Sequence, residues 1–276
     1  MTNKYSKEIR STVTSEGNLE LSITKVQVPT PNDDEVLIEV HAAPISPSDL
    51  ALLITFGADL ANINISGSGE NTVTSMKVHP AMMKSMKSRM DQPMPVGNEG
   101  AGVIVDAGSN VKHLIGKTVG LAGGAMYSQY ICVPAVNCLV MDDETTPAEA
   151  ASSFVNPMTA LSFIETMKME NHSAIVNTAA ASNLGQMLVK ICNDGDIPLV
   201  NIVRTQEQVD LLKNIGAKYV CNTSDENFKE TLVAALIETG ATLGFDATGG
   251  GNNGELPGQI LAAMEIASNS GSGEYS

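Results

Sequence analysis

The sequence predicts a two-domain α/β chain: a small barrel or sandwich of short strands, then a doubly wound parallel sheet. Three observations carry this. Residues 173–204, SAIVNTAAASNLGQMLVKICNDGDIPLVNIVR, read as strand, tight turn, helix and strand. From there to Ala247, apolar runs of strand length alternate with stretches of helical spacing, as parallel strands joined by crossover helices do. Before Pro147 the apolar runs are short and separated by Gly and Pro turns, as in antiparallel folds. A length of 276 residues fits two domains, expected at 1–155 and 156–276.

Taken in order, the opening MTNKYSKEIRSTVTSEG is polar and lacks the apolar segment of a signal peptide. Leu19 to Val28 alternates loosely and stops at Pro29 and Pro31. Glu35 to Ala42 alternates well, turning Val36, Ile38 and Val40 to one side and His41 to the other, where it reads as a surface histidine. PISPSDL is a loop, and Leu50 to Ile54 a helical turn. Within residues 58–92, ANINISGSGEN reads as a flexible polar loop. HPAMMKSMKSRM then sets Met82, Met83, Met86 and Met90 at helical spacing, with Lys84, Lys87 and Arg89 among them. That stripe reads as a surface helix packed on the strands, or as a mobile lid adapting to an apolar substrate tail. Pro95 to Val105, Gly116 to Leu121 and Tyr127 to Pro134 supply further strands. PAEAASSFVNPMTALSFIETMKM is helical, with a break expected at Asn156–Pro157. The expected parallel strands are Ala174–Asn177, Leu199–Val203, Tyr219–Cys221 and Leu243–Ala247. The helices between them start at Leu184, Gln206 and Asn227, and a last one covers Leu256–Ala267.

The turn after Asn177 consists of small residues, Thr178 to Asn183, and opens a helix. A strand that turns through small residues into a helix N-terminus is a phosphate-binding corner. Where that fingerprint has three glycines, this chain has Ala180, Ser182 and Gly185. The net charge of −15 argues against nucleic acid or anionic membrane as the main partner. No apolar run of about 18 residues exists, so stable membrane insertion is not expected. The four cysteines form no CxxC pair; free thiols in a reducing cytoplasm are expected.

HAAPISPSDL, VGNEGAGVIVDAGSNV, FVNPMTAL, AAASNLGQ, IGAKYV and GFDATGG follow one another in that order. On these motifs the chain resembles the medium-chain dehydrogenase/reductase superfamily, in its zinc-free quinone oxidoreductase and 2-enoyl thioester reductase branch. The resemblance implies an N-terminal GroES-like β-barrel domain, a Rossmann-type parallel sheet and an active site in the cleft between them. Zinc-dependent members carry Cys and His where this chain has Ser46 and Asn98, beside Glu99. Serine and an amide are poor zinc ligands, so no metal is expected. The second parallel strand ends in Arg204 rather than a carboxylate, which points to NADPH over NADH.

The implied cofactor contacts are Ser46, Thr159, Ala180, Ser182, Asn183, Leu184, Gly185, Arg204, Thr248 and Gly249. The implied catalytic residues are Asn156, Thr159 and Tyr127. The branch's catalytic tyrosine falls on Phe56 here, and Tyr127 or Tyr130 is the expected replacement. Four strands can be counted where the family sheet has about six, so the sequence reads as C-terminally truncated, without the family's homodimer surface. The expected function is zinc-independent, NADPH-dependent hydride transfer to a small electrophile, a quinone or an α,β-unsaturated carbonyl or enoyl thioester. The alternatives are a non-catalytic NADPH-binding protein of the same fold and, third, an apolar-ligand or membrane-surface protein working through the Met-rich segment.

Overall fold

The computed structural model describes residues 5–55, 57–249 and 254–271. The chain divides into two compact units, Met1–Val155 and Asn156–Ser276.

The first unit holds ten strands among its described residues. They are β1 (Tyr5–Val13), β2 (Asn18–Gln27), β3 (Glu35–Ala42), β4 (Asn64–Ser66), β5 (Val73–Lys77), β6 (Met94–Pro95), β7 (Glu99–Ala107), β8 (Thr118–Ala122), β9 (Tyr130–Pro134) and β10 (Leu139–Val140). They pair antiparallel into two five-stranded sheets, ordered β4-β5-β2-β1-β6 and β10-β8-β7-β3-β9. A bridge between Glu8 and Ser128 joins them. Three short helices punctuate the strands: α1 (Pro47–Leu53), α2 (Pro80–Met83) and α3 (Pro147–Ala150).

Val36 and Ile38 of β3 meet Ile104, Val119, Leu121 and Met126 in the main core of this unit. Close approach of β7 to β3 sets that core. A Cβ on Gly102 would lie 2.0 Å from the Glu39 carbonyl oxygen, so glycine is required there.

The structure departs from the sequence reading at several points. Residues 5–13 form β1, which the sequence hid because buried serines stand on both of its faces, Ser6 on one and Ser11 on the other. Residues 64–66, within the stretch 61–71 expected as a flexible loop, form a strand paired with 73–77. The Met-rich stretch is not one helix: α2 has four residues, and a separate 3-10 turn covers Lys87–Arg89. Met82, Met83 and Met86 still pack together, on Val13, Leu19, Met76 and Val78, so the packed reading of the stripe holds. Arg89 is not a solvated cation. It is half-buried, and its Nη2 donates to Ser11 Oγ at 3.0 Å and to the Leu52 carbonyl at 3.3 Å, near the C-terminus of α1, where a positive charge is favourable. Finally, Pro157 breaks nothing. It sits in the first turn of α4 (Val155–Met169), where its missing N–H has no helical partner to lose.

The second unit is a parallel sheet of β11 (Ile175–Asn177), β12 (Leu199–Val203), β13 (Tyr219–Asn222) and β14 (Leu243–Phe245), ordered β13-β12-β11-β14. The connecting helices are α5 (Asn183–Asp194), α6 (Gln206–Asn214) and α7 (Phe228–Thr239), with α8 (Glu255–Gly271) last. α4, α5 and α6 pack on one face through Ile164, Leu188 and Leu212. α7 and α8 pack on the other through Leu232, Leu236, Ile260 and Ala263. Every residue of β12 is buried, as a central parallel strand covered on both faces requires. Phe163 of α4 stacks on Phe245 of β14 with ring centroids 3.7 Å apart.

Cys132 and Cys138 are half-buried and Cys192 and Cys221 buried, all as free thiols. Burial pushes each of the four up to about 11. Among the described residues, no helix is long and apolar enough to cross a membrane.

Gly102→Ala should destabilise the chain by about 1–3 kcal/mol, because the clash is with backbone. Gly258→Ala, in α8 with nothing within 4 Å of the added Cβ, should instead stabilise by about 0.5–1 kcal/mol. Urea unfolding of the two variants checks the contrast.

Candidate cofactor and active site

The corner after β11 is built by three local devices. Thr178 N–H donates to the Phe245 carbonyl at 3.1 Å, tying the turn to the next strand. Ala179 takes φ of +49°, a left-handed value that a non-glycine residue holds only when its surroundings impose it. Ser182 then caps α5, its Oγ accepting from Gly185 N–H at 3.2 Å. A Cβ on Gly185 would lie 2.1 Å from the Ala180 carbonyl oxygen. The third position of the degraded fingerprint therefore keeps its packing role, with the helix start pressed against the turn. Asn183 and Leu184 are the first residues of α5, so their N–H groups have no acceptor within the helix.

The loop after β14 is held over this corner by one carboxylate. Asp246 Oδ1 accepts from Thr178 Oγ1 at 2.6 Å, from Thr248 N–H at 2.9 Å and from Thr248 Oγ1 at 2.6 Å. Ala247 N–H donates to Thr178 Oγ1 at 2.8 Å, and Gly249 follows at φ +63°. Sequence reasoning named Thr248 and Gly249 and missed Asp246, although it lies in the GFDATGG motif.

Arg204 leaves the end of β12. Its backbone is held on both sides: its N–H donates to Gln208 Oε1 at 2.9 Å, and its carbonyl accepts from Ser224 Oγ at 2.7 Å. Its exposed guanidinium has no hydrogen-bond or ion-pair partner among the described residues. Ser182, Arg204 and Thr248 line one cavity of about 850 Å³. Gln208, Thr223 and Leu256 also line it and were missed; Gln208 stands four residues beyond Arg204, the one signal that could have found it. Ala180 is buried beneath the corner. Asn183, Leu184, Gly185 and Gly249 adjoin the turn rather than the cavity wall. Asn156 and Thr159 sit on one face of α4, three residues apart, with Phe163 continuing that face.

Ser46 and Tyr127 belong to the first unit, in a polar cluster around α1. Asp49 is 3% exposed. Its Oδ2 accepts from Ser46 N–H and its Oδ1 from Asn98 N–H, both at 2.8 Å. Asn98 Nδ2 donates to Ser48 Oγ at 3.0 Å. The Tyr127 hydroxyl donates to the Pro44 carbonyl at 2.9 Å. Burial, with the Asp49 carboxylate adding to it, pushes this phenol up to about 12, so it stays protonated at neutral pH. Tyr130 O–H donates to Glu39 Oε1 at 2.9 Å. Phe56 lies outside the described residues. Glu99 is 2% exposed and accepts from Val155 N–H at 2.8 Å. Burial raises its carboxyl above the usual range, against the amide hydrogen bonds from Val155 and Phe154 that lower it. Among the described residues, no three His, Cys, Asp or Glu side chains come together as a metal-ligand set.

Residues 32–143 match the alcohol dehydrogenase GroES-like domain family. Mitochondrial enoyl-acyl-carrier-protein reductases are similar over most of the chain. The one from Xenopus tropicalis is 28% identical across 72% of this chain and 51% of its own, and one from Caenorhabditis elegans 25% identical across 76% and 54%. A solved Mesorhizobium loti protein assigned as an NADPH:quinone reductase is 26% identical, with a TM-score of 0.69 over 96% of this chain and 72% of that one. The likeness is to the medium-chain dehydrogenase/reductase superfamily. Within the superfamily the likeness falls on the enoyl and quinone reductase branch. The CurK enoyl reductase shares the fold at 18% identity, with a TM-score of 0.68 over 95% of this chain and 71% of that one. The chain spans about half the length of the curated superfamily relatives it matches.

Because folding raises the Glu99 pKa, the stability tied to its proton is fully present below the ordinary glutamate range. It is lost as pH rises through the raised value. Glu99→Gln keeps an acceptor for the Val155 amide and removes the charge. Urea unfolding across that pH window should show a flatter profile for the variant; an unchanged slope would assign the titration to another group.

Proposed function

We propose that the chain is an NADPH-dependent, zinc-independent reductase of a quinone or of an α,β-unsaturated carbonyl such as an enoyl thioester. The observation that carries this reading is the unpaired Arg204 guanidinium in the same cavity as the Ser182 corner. An NAD site places a carboxylate at this strand end to accept from the ribose hydroxyls. A guanidinium cannot accept those bonds but matches a 2′-phosphate with paired donors.

The residues present fit the dinucleotide. Arg204 would hold the 2′-phosphate. The Asn183 and Leu184 amides at the α5 N-terminus, with Ser182, would hold the pyrophosphate. Gly185 and Ala180 keep that terminus close to the turn, and Thr248 and Gly249 close the corner. Asn156, Thr159 and Ser46 would orient the nicotinamide end. When bound, NADPH supplies the hydride. Ser46 and Asn98 are poor zinc ligands, so the acceptor must bring its own conjugated activation. Tyr127, protonated at neutral pH, is the proposed proton donor. Cytoplasmic placement belongs to the same proposal and rests on the four free thiols.

One observation favours a second reading, a non-catalytic NADPH-binding protein. The Tyr127 proton is given to the Pro44 carbonyl, so it must be released before it can serve a substrate.

Nicotinamide fluorescence titration tests the cofactor site. Arg204→Ala should weaken NADPH about 10–100-fold and leave NADH unmoved, since one charge-assisted pair is lost. Equal affinity of the wild type for both cofactors would overturn the assignment. Steady-state NADPH oxidation with a quinone and with an enoyl thioester separates the two readings. On the leading one, Tyr127→Phe lowers kcat by about a hundredfold or more with NADPH affinity unchanged. Tight NADPH binding without turnover of either acceptor would favour the second.

A further inference from the structure

Gln208 of α6 stands with Arg204 in the wall of one cavity, and its side chain departs from ordinary helix capping. Thr205 caps α6, its Oγ1 accepting from Gln208 N–H at 3.3 Å. In a capping box, a Gln at this position would return its side chain to the N–H of the cap residue itself. Here it reaches one residue further back: Gln208 Oε1 accepts from Arg204 N–H at 2.9 Å.

That bond decides which way the amide points. The terminal atom facing an N–H must be the oxygen, so the other is the NH2 group, a donor only. Gln208 Nε2 has no acceptor among the described residues. Because Nε2 and Oε1 share one carbon, the donor is held beside the strand end that delivers Arg204. Its place is set by the Arg204 backbone and not by the exposed guanidinium. Two donor groups without acceptors, an amide and a guanidinium, therefore belong to the wall of the same cavity.

The charges around them agree. α6 starts two residues beyond Arg204, and that end of a helix favours an anion. Glu207, the acid of its first turn, is exposed and does not line the cavity. The one carboxylate in the wall, that of Glu255, comes from α8.

We infer that Gln208 is a specificity-determining residue, its Nε2 donating to the same 2′-phosphate that Arg204 holds. The role rests on the NADPH reading of this cavity. The guanidinium supplies charge and the amide supplies direction: a donor already anchored through Oε1 loses little freedom when the phosphate arrives. NADH carries a neutral hydroxyl there, a weaker partner for the same donor.

Nicotinamide fluorescence titration of the full chain with NADPH and NADH is the test, on wild type, Gln208→Glu and Gln208→Met. Glutamate has nearly the same shape and keeps an oxygen for Arg204 N–H, but loses the donor. Methionine loses the donor without adding charge. The ratio of NADPH affinity to NADH affinity should fall about tenfold or more in both variants. A fall in Gln208→Glu alone would reflect charge repulsion and overturn the inference. So would a ratio unmoved in both variants of a chain that prefers NADPH, including equal weakening of the two cofactors, which is what a purely structural anchor gives; the Arg204 assignment would then stand. A wild type with no preference would overturn the NADPH reading and the Gln208 role with it.

Discussion

The second unit depends on how closely α5 can sit against the turn that follows β11. The gap is so small that a single methyl group at Gly185 would fall 2.1 Å from a carbonyl oxygen. Because the side chain there is a hydrogen, the helix begins directly over the strand end. Its unpaired amides then point past the carboxyl edge of the sheet, where β12 delivers Arg204 and β14 delivers the Asp246 loop. Three separate pieces of chain are brought to one corner through that contact. The fingerprint has lost two of its glycines without losing this one function. Ala179 accepts the left-handed turn conformation, and Ser182 replaces the second glycine with a helix cap.

Both units use a carboxylate to hold a loop rather than a ligand. Asp49 takes one backbone N–H on each oxygen, from Ser46 and Asn98. Asp246 gathers three donors on a single oxygen. In each case the residues that the sequence marks as functional are placed by main-chain hydrogen bonds to a neighbouring acid. Ser46 and Asn98 do not resemble a metal site for a separate reason: a neutral hydroxyl and an amide are poor zinc ligands.

The parallel sheet was legible because its signals are strong where they occur. β12 is apolar at four of its five positions and wholly buried, and α5 and α6 carry regular apolar spacing, so their limits matched closely. β1 was not legible, since a buried serine on each face, Ser6 and Ser11, leaves it no hydrophobic period. The Met-rich stretch misled in the opposite way. Its period is helical, but Pro80 and the 3-10 turn at Lys87–Arg89 divide the chain into two short turns that still deliver the methionines to one cluster. In the site, Ser182, Arg204 and Thr248 could be named because motif position fixes them. Asp246, Gln208 and Leu256 were missed, because their roles come from tertiary proximity: a loop folding back, a helix four residues on, and a later helix lining the same cavity.

The four free thiols, two in each unit, are all held far from their reactive form. A thiol near 11 is almost wholly protonated at neutral pH and reacts with alkylating agents only when its surroundings open. Cys192 and Cys221, the two buried thiols, therefore keep time for the second unit. Mass-resolved alkylation would time how that unit breathes, without introducing a label.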